Sequence, residues 1–235
     1  MCGRYSIFAP PDELEERFDA AFVTDPRPRY NAAPGQSLPV IRDASRDAIT
    51  GARWGLVPSW ADGPSGGFIN ARAETLGEKP AFRDAYAERR CLVLADGFYE
   101  WVETDVGKRP YRITRLDGDP FALAGLWETW TPAVTQTGLD EFAGGADDAG
   151  SGPDRSVEPL ETFTIVTREP TPLLADYHHR MALLLRPDDE AAWLDGDRVE
   201  AFDPPADDEL RAYPVSTLVN DPANDSPAVV EEVSP

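Results

Sequence analysis

Apolar and polar positions along this chain fall into short, strand-like runs and seldom keep helical spacing for long. GRYSIF at 3–8, SLPVIR at 37–42, CLVLADGFYEW at 91–101, YRITRL at 111–116, FALAGLWETW at 121–130, ETFTIVT at 161–167 and MALLL at 181–185 are rich in β-branched and aromatic residues, with Gly, Pro and Asp between them. Such runs favour strands because branched and aromatic side chains pack well on a pleated surface. Three segments carry the 3.6-residue period instead. PPDELEERFDAAF at 10–22 opens on Pro10 or Pro11 and sets Leu14 and Phe18 on one face; PAFRDAYAER at 80–89 does the same with Phe82 and Tyr86; PDDEAAWL at 187–194 is the third. Proline at the start with acids in the first turn suits a helix N-terminus, whose free N–H groups and dipole favour negative charge. The helices do not alternate regularly with the strands, as βαβ units would require. The predicted class is therefore α+β, with mostly antiparallel sheets forming a barrel-like body and a few flanking helices.

The 235 residues suffice for a sizeable core and predict a single domain over 1–235. Within it, 131–160 is rich in Gly, Asp, Pro and small residues without apolar periodicity and reads as a flexible acidic insertion. The end of the chain, 225–235, reads as a polar tail whose first residues can pack on the body.

Charge changes this picture less than its size suggests. Asp and Glu number 43 against 22 Lys and Arg, a net charge of −21, and the only lysines are Lys79 and Lys108. A field of that sign repels polyanions, yet an acidic, lysine-poor surface is also what a very salty cytoplasm favours. Read as adaptation to a halophilic host, the charge leaves the ligand open. Two cysteines, Cys2 and Cys91, make no disulfide framework, and MCGRYSIFAP lacks the apolar core of a signal peptide. A cytoplasmic protein with free thiols is expected, Cys91 being buried in its apolar run. No stretch approaches the roughly 18 apolar residues of a membrane span, and no CxxC or spaced Cys/His pattern is present, so neither membrane, metal nor cofactor is predicted.

Candidate chemistry begins at Cys2. Removal of Met1 would leave a thiol and an α-amine on one residue, and an α-amino pKa of about 7.7 to 8.0 keeps far more neutral amine at pH 7 than a lysine does. Such an amine can form a Schiff base with an aldehyde, and the neighbouring thiol can close on the imine carbon to give a five-membered thiazolidine. The bland alternative is a frayed end that keeps its methionine.

The segments MCGRY, RYNAAPGQ, WGLVPSW, FINARAET, LADGFYEW, FTIVT and YHHRMALLL, taken together and in this order, resemble the SOS-response-associated peptidase family of abasic-site-processing proteins. The resemblance runs from Cys2 to about Asn224, outside 131–160. It implies that Cys2, freed of Met1, forms a thiazolidine with the ring-opened aldehyde of an abasic site in single-stranded DNA. It also brings in AP-lyase chemistry and a self-processing peptidase step, and a monomer without cofactor. By motif position, the resemblance places catalysis on Cys2, Asn70, Glu100 and His178. A carboxylate at Glu100 could take the terminal amine's proton and shuttle protons through the imine steps; His178 could protonate the sugar ring oxygen; Asn70 could hold the sugar or the Cys2 terminus. Asp96 reads as a turn former. Arg4, Arg72 and Arg180 suit flanking phosphates, Asn31 and Thr167 match further contact positions, and Trp60 and Pro34 could stack on or wedge between bases, with a core tryptophan as the competing reading for Trp60. The pair His178–His179 departs from the family pattern, which has an acid after the histidine, and Ala182 stands where it has proline; register from Arg180 favours His178.

Two other functions fit part of this pattern. Glutamine amidotransferase-like N-terminal-nucleophile amidohydrolases also begin Met-Cys-Gly, and an acidic module could bind DNA ends or a protein without any reaction at Cys2. The later GFYEW and HHRM segments are what separate these readings.

Overall fold

A computed structural model describes residues 2–105, 107–132 and 159–234. Most of 131–160 lies outside the described residues. The strands are β1 (Tyr5–Ile7), β2 (Ala21–Phe22), β3 (Arg29–Ala32), β4 (Ser37–Arg42), β5 (Ser45–Trp54), β6 (Asn70–Arg72), β7 (Arg90–Ala95), β8 (Gly97–Thr104), β9 (Gly107–Arg115), β10 (Phe121–Trp130), β11 (Leu160–Arg168), β12 (Met181–Ala182), β13 (Leu184–Leu185) and β14 (Leu210–Pro214). The helices are α1 (Pro11–Phe18), α2 (Arg83–Glu88), α3 (Pro172–Ala175) and α4 (Pro187–Asp195).

Five strands close on themselves. β4 pairs β5 and β7, β7 pairs β10, β10 pairs β11, and β11 returns to β5 in parallel through Thr162–Arg53 and Phe163–Trp54. Closure removes the open edges a flat sheet would leave and fills the interior with alternate side chains such as Val40, Val93, Leu123 and Ile165, all fully buried. A second sheet has the order β14-β9-β8-β1-β3 and is antiparallel throughout. The predicted α+β class with mostly antiparallel sheets and a barrel-like body is borne out; the parallel pairings are β5–β11, β6–β11 and β2–β5.

The segment CLVLADGFYEW does not form one strand. It leaves the barrel at the end of β7 and enters the second sheet as β8, bending at Asp96. Asp96 is thus more than a turn former. Its carboxylate accepts from Ser6 Oγ (2.6 Å) and from the backbone N–H groups of Phe8 and Ala9, and pairs with Arg112 at 2.9 Å. Arg112 also donates to the Asp96 carbonyl (2.9 Å) and to the Tyr213 hydroxyl (2.8 Å). Gly97 makes room for this, since a Cβ there would lie 2.6 Å from the guanidinium carbon. The side chains of Arg112 and Asp96 are only 7% and 6% exposed, so removing one partner strands a buried charge. Asp96→Ala is expected to cost about 3–5 kcal/mol of stability, read as a lower denaturant midpoint.

Residues 225–234, read from sequence as a polar tail, pack on the second sheet. Val229 is buried beside Tyr99, Tyr213 and Val219, Val215 and Glu232 form a β-bridge, and Val233 N–H donates to the Pro214 carbonyl (3.0 Å).

Candidate active site

β8 lies between β1 and β9, and the β1–β8 ladder fixes where the chain's first residues go. Tyr5 faces Phe98, Ser6 faces Gly97, and Tyr99 N–H donates to the Arg4 carbonyl at 3.0 Å. Continued back toward the terminus, this antiparallel register carries Cys2 and Gly3 alongside Glu100 and Trp101. From the other side, β6 pairs in parallel with β11 and brings in Asn70, whose Nδ2 donates to the Cys2 carbonyl at 2.9 Å. Cys2 is fully buried, and its thiol approaches the Arg4 carbonyl at 3.9 Å.

Glu100, Arg4, Trp101, Lys108, His178 and Asn220 line one groove of about 420 Å³. Glu100 is 5% exposed, and burial raises its carboxyl from the usual range to about 7. Burial also pushes the Cys2 thiol up to about 12, with the nearby Glu100 charge adding to the effect. The thiol therefore keeps its proton at neutral pH, and any bond made by its sulfur requires a base. Burial lowers the pKa of His178. Its Nδ1 accepts from Arg180 N–H at 3.0 Å and lies 3.1 Å from the Arg180 carbonyl, so a backbone partner exists for both the neutral ring and the imidazolium. His179 is exposed, its ring 4.1 Å from that of His178.

The remaining predicted residues divide by what already holds them. Arg180 is committed to a two-point pair with Glu74 (2.7 and 2.9 Å) and to the Thr167 carbonyl (2.6 Å), which ties the histidine loop to β11. Arg4 donates to Asn31 Oδ1 (2.7 Å) and the Val219 carbonyl (2.8 Å), with its guanidinium 5.9 Å from the centre of the Trp101 ring. Asn31 is fully buried, and its Nδ2 donates to the carbonyls of Val219, Asp221 and Asn224. It braces Arg4 and the C-terminal turn and presents no surface to a ligand. Thr167 is buried with its hydroxyl toward the Ala71 carbonyl. Arg72, Pro34 and Trp60 are exposed, Trp60 at 64%, so the core reading of that tryptophan does not hold. Arg72 and Lys108 have no ion-pair partner within 4.0 Å among the described residues.

Sequence reasoning did not single out Trp101 and Lys108 as groove walls; Asn220, in LVNDPAND, lies in a segment similar to the family's C-terminal motif, which the resemblance places at the border of the site without an assigned role. Trp101 Nε1 donates to Asn220 Oδ1 at 2.7 Å, joining β8 to the turn Thr217–Asn220. Alternation from Glu100 would have put Trp101 on the opposite face of a flat strand. Lys108 carried one legible signal: it is one of only two lysines in the chain. Among the described residues no group of His, Cys, Asp and Glu is arranged to hold a metal ion, and no helix is long and apolar enough to cross a membrane.

Comparison with known proteins agrees with this geometry. Residues 1–222 match the family described as SOS response associated peptidase (SRAP). The abasic site processing protein YoqW of Bacillus subtilis is 39% identical over 98% of this chain and 99% of its own length. YoaM of the same organism, also named an abasic site processing protein, is 38% identical over 98% of each chain. A crystal structure of a Bacteroides thetaiotaomicron protein superposes with a TM-score of 0.78 at 25% identity, covering 99% of this chain and 100% of that one. The profile match over nearly the whole chain, the relatives and the shared fold agree: this chain belongs to the SOS response associated peptidase (SRAP) family.

Proposed function

We propose that this protein acts in the DNA-damage response by capturing abasic sites in single-stranded DNA covalently, through a thiazolidine at Cys2 once Met1 has been removed. The observation that carries this reading is the convergence on Cys2. Glu100 is buried beside it, Asn70 holds its carbonyl, and His178 shares a groove with Glu100. The names of the relatives, abasic site processing proteins, support the same substrate.

Removal of Met1 turns the Cys2 nitrogen into a primary amine. That nitrogen attacks the aldehyde carbon of the opened sugar, and loss of one water gives the imine. The thiol then adds across the C=N bond: sulfur bonds to carbon, the thiol proton leaves through a base, and the ring nitrogen gains a proton. The whole reaction loses one water. With the thiol protonated at neutral pH, Glu100 is suited to accept its proton and pass one to nitrogen. Asn70 Oδ1 is buried without a hydrogen-bond partner among the described residues, and could accept from the new amine or a sugar hydroxyl. Arg72, beside Asn70 in β6, and Lys108, in the groove, have no ion-pair partner among the described residues and suit the flanking phosphates better than Arg180, which is occupied by Glu74. Trp60 and Pro34 are exposed, as stacking or wedging beside the lesion needs. An AP-lyase reaction, by β-elimination from the imine, competes with ring closure in this scheme, and cleavage after Met1 is the self-processing step. The protein acts as a monomer.

The test is to incubate the protein with single-stranded DNA bearing one abasic site, denature, and weigh the products. A complex equal to the two masses less one water is expected; its absence would sink the reading. His178→Ala is expected to slow adduct formation at least tenfold, and His179→Ala to do little. The His178 defect should vanish with a substrate aldehyde that cannot cyclise, because the ring opening assigned to His178 is then bypassed. Equal defects in both histidine variants would refute the assignment.

A further inference from the structure

The loop from Leu56 to Phe68 is pinned and yet presents aromatic rings outward. Leu56 and Phe68 exchange both backbone hydrogen bonds, at 3.0 and 2.9 Å. Behind them Gly67 lies against Gly55 so closely that a Cβ on Gly67 would sit 2.2 Å from the Gly55 carbonyl oxygen. Two side chains hold the loop from below, Arg53 to the Pro64 carbonyl (3.0 Å) and Trp130 to the Ala61 carbonyl (2.8 Å). On this fixed frame Trp60 is 64% exposed and Phe68 43%, the Phe68 ring meeting Phe82 at 5.3 Å and 76°. A single exposed aromatic needs no explanation, but two on one braced loop leading into the Asn70 strand call for one.

From Phe68 onward the chain alternates. Phe68 and Arg72 are exposed and Asn70 half-buried, whereas Ala71 is buried and Ile69 packs on the core. Asn70 and Arg72 share one face of β6, and Phe68 precedes that strand across a bend at Ile69. Asn70 is the residue that holds Cys2. Phe68 precedes it by two residues, a reach of at most about 7 Å and so within about two stacked nucleotides.

We infer that Phe68 is a stacking platform for a base within two nucleotides of the abasic sugar, with the exposed Arg72, two residues beyond Asn70, for a phosphate. This rests on the single-stranded DNA reading above. The occupant is an unpaired base and not an apolar protein surface, because the ring is followed within four residues by a hydrogen-bonding amide, Asn70, and an exposed cation without an ion pair among the described residues, Arg72. Charge adds to the case: a chain of net charge −21 gains little from long-range attraction to phosphate, and stacking does not depend on counterion release.

The experiment uses single-stranded oligonucleotides, intact or with one abasic site, carrying the fluorescent base 2-aminopurine one or two positions to either side of the central nucleotide. With the parent, quenching is expected at one or more of these positions. Phe68→Leu keeps apolar contact with Phe82 but has no aromatic face. It should lose the quench and bind intact strands about tenfold more weakly, whereas Phe68→Trp should retain both. Quenching and affinity unchanged in Phe68→Leu, with thermal midpoints level, would overturn the inference, leaving the ring for some other partner. A parent that forms no covalent adduct fails the abasic-site reading instead, a result the quench on intact strands does not depend on.

Discussion

Cys2→Ala is expected to abolish the denaturation-resistant adduct with abasic DNA while leaving an imine that borohydride can trap. Alanine is small enough for Met1 removal to proceed as in the parent, so the variant still offers an α-amine beside Glu100. Without sulfur the imine cannot close and returns to aldehyde and amine when the complex is denatured. Two gels of the same reaction, with and without reductant, separate the roles of nitrogen and sulfur. A resistant adduct of undiminished yield in Cys2→Ala would show that another residue makes the bond. If neither gel shows a complex in the variant while the parent reacts, the sulfur, and not the amine, makes the first attack.

Glu100→Gln should slow adduct formation by about 100-fold or more, the usual effect of losing a positioned base, and should at the same time stabilise the fold above neutral pH. The rate argument follows from the buried thiol, held near 12, and the neighbouring carboxyl, held near 7. Below pH 7 the parent's rate should fall more steeply with acid than the glutamine variant's, because Glu100 takes up its proton in addition to the Cys2 α-amine that both share. The effect on stability has the opposite sign. Because the folded-state pKa is raised from 4.5 to about 7, protonated Glu100 favours the fold, and that contribution is lost as pH rises between those values. Each unit is worth about 1.4 kcal/mol, so the variant, level with the parent near pH 4, should be about 3 kcal/mol more stable above pH 7. Denaturant titrations at pH 4, 6 and 8 read this directly. A variant no more stable at pH 8 than at pH 4, relative to the parent, would mean that Glu100 is solvated or paired in its ionised form. The trade is one often met at functional sites, where a group poised for chemistry is held at some cost to the fold.

The C-terminal turn contributes to the site through hydrogen bonds from residues far away in the chain. Asp225 accepts from the backbone N–H groups of Tyr30 and Asn31 (2.7 and 3.0 Å) and pairs with Arg29 at 3.0 Å. Asn31 then binds three carbonyls of the turn, and Arg4 binds both Asn31 and Val219. Arg4 and Trp101 are held in the groove by residues some 120 to 220 positions away in sequence.

Several strands were legible because their patterns are local. SLPVIR is β4 over the same six residues, and FALAGLWETW is β10 over the same ten. β5 was not legible: its ten residues SRDAITGARW bury only Ile49, Ala52 and Trp54, so neither alternation nor a continuous apolar run marks it. MALLL reads as one strand but splits at Leu183, since β12 pairs β11 and β13 pairs β10. Pairing with two different neighbours is a property of the barrel, not of five residues.

The sequence by itself determined the chemistry on offer: a thiol at Cys2 directly behind Met1, a carboxyl at Glu100, a histidine at 178, and the β-rich class that would carry them. These follow from residue identity, position and local period. Only the tertiary structure decided which groups are available to a ligand. Arg180 is taken by Glu74, Asn31 is turned inward, Arg4 is braced at the groove wall by Asn31 and the C-terminal turn, and Trp60, Phe68, Arg72 and Lys108 are left facing out. The raised pKa of Glu100 likewise comes from burial between strands that meet only in the fold. Availability and burial are set by contacts across the whole chain, and such contacts leave no local pattern in the sequence.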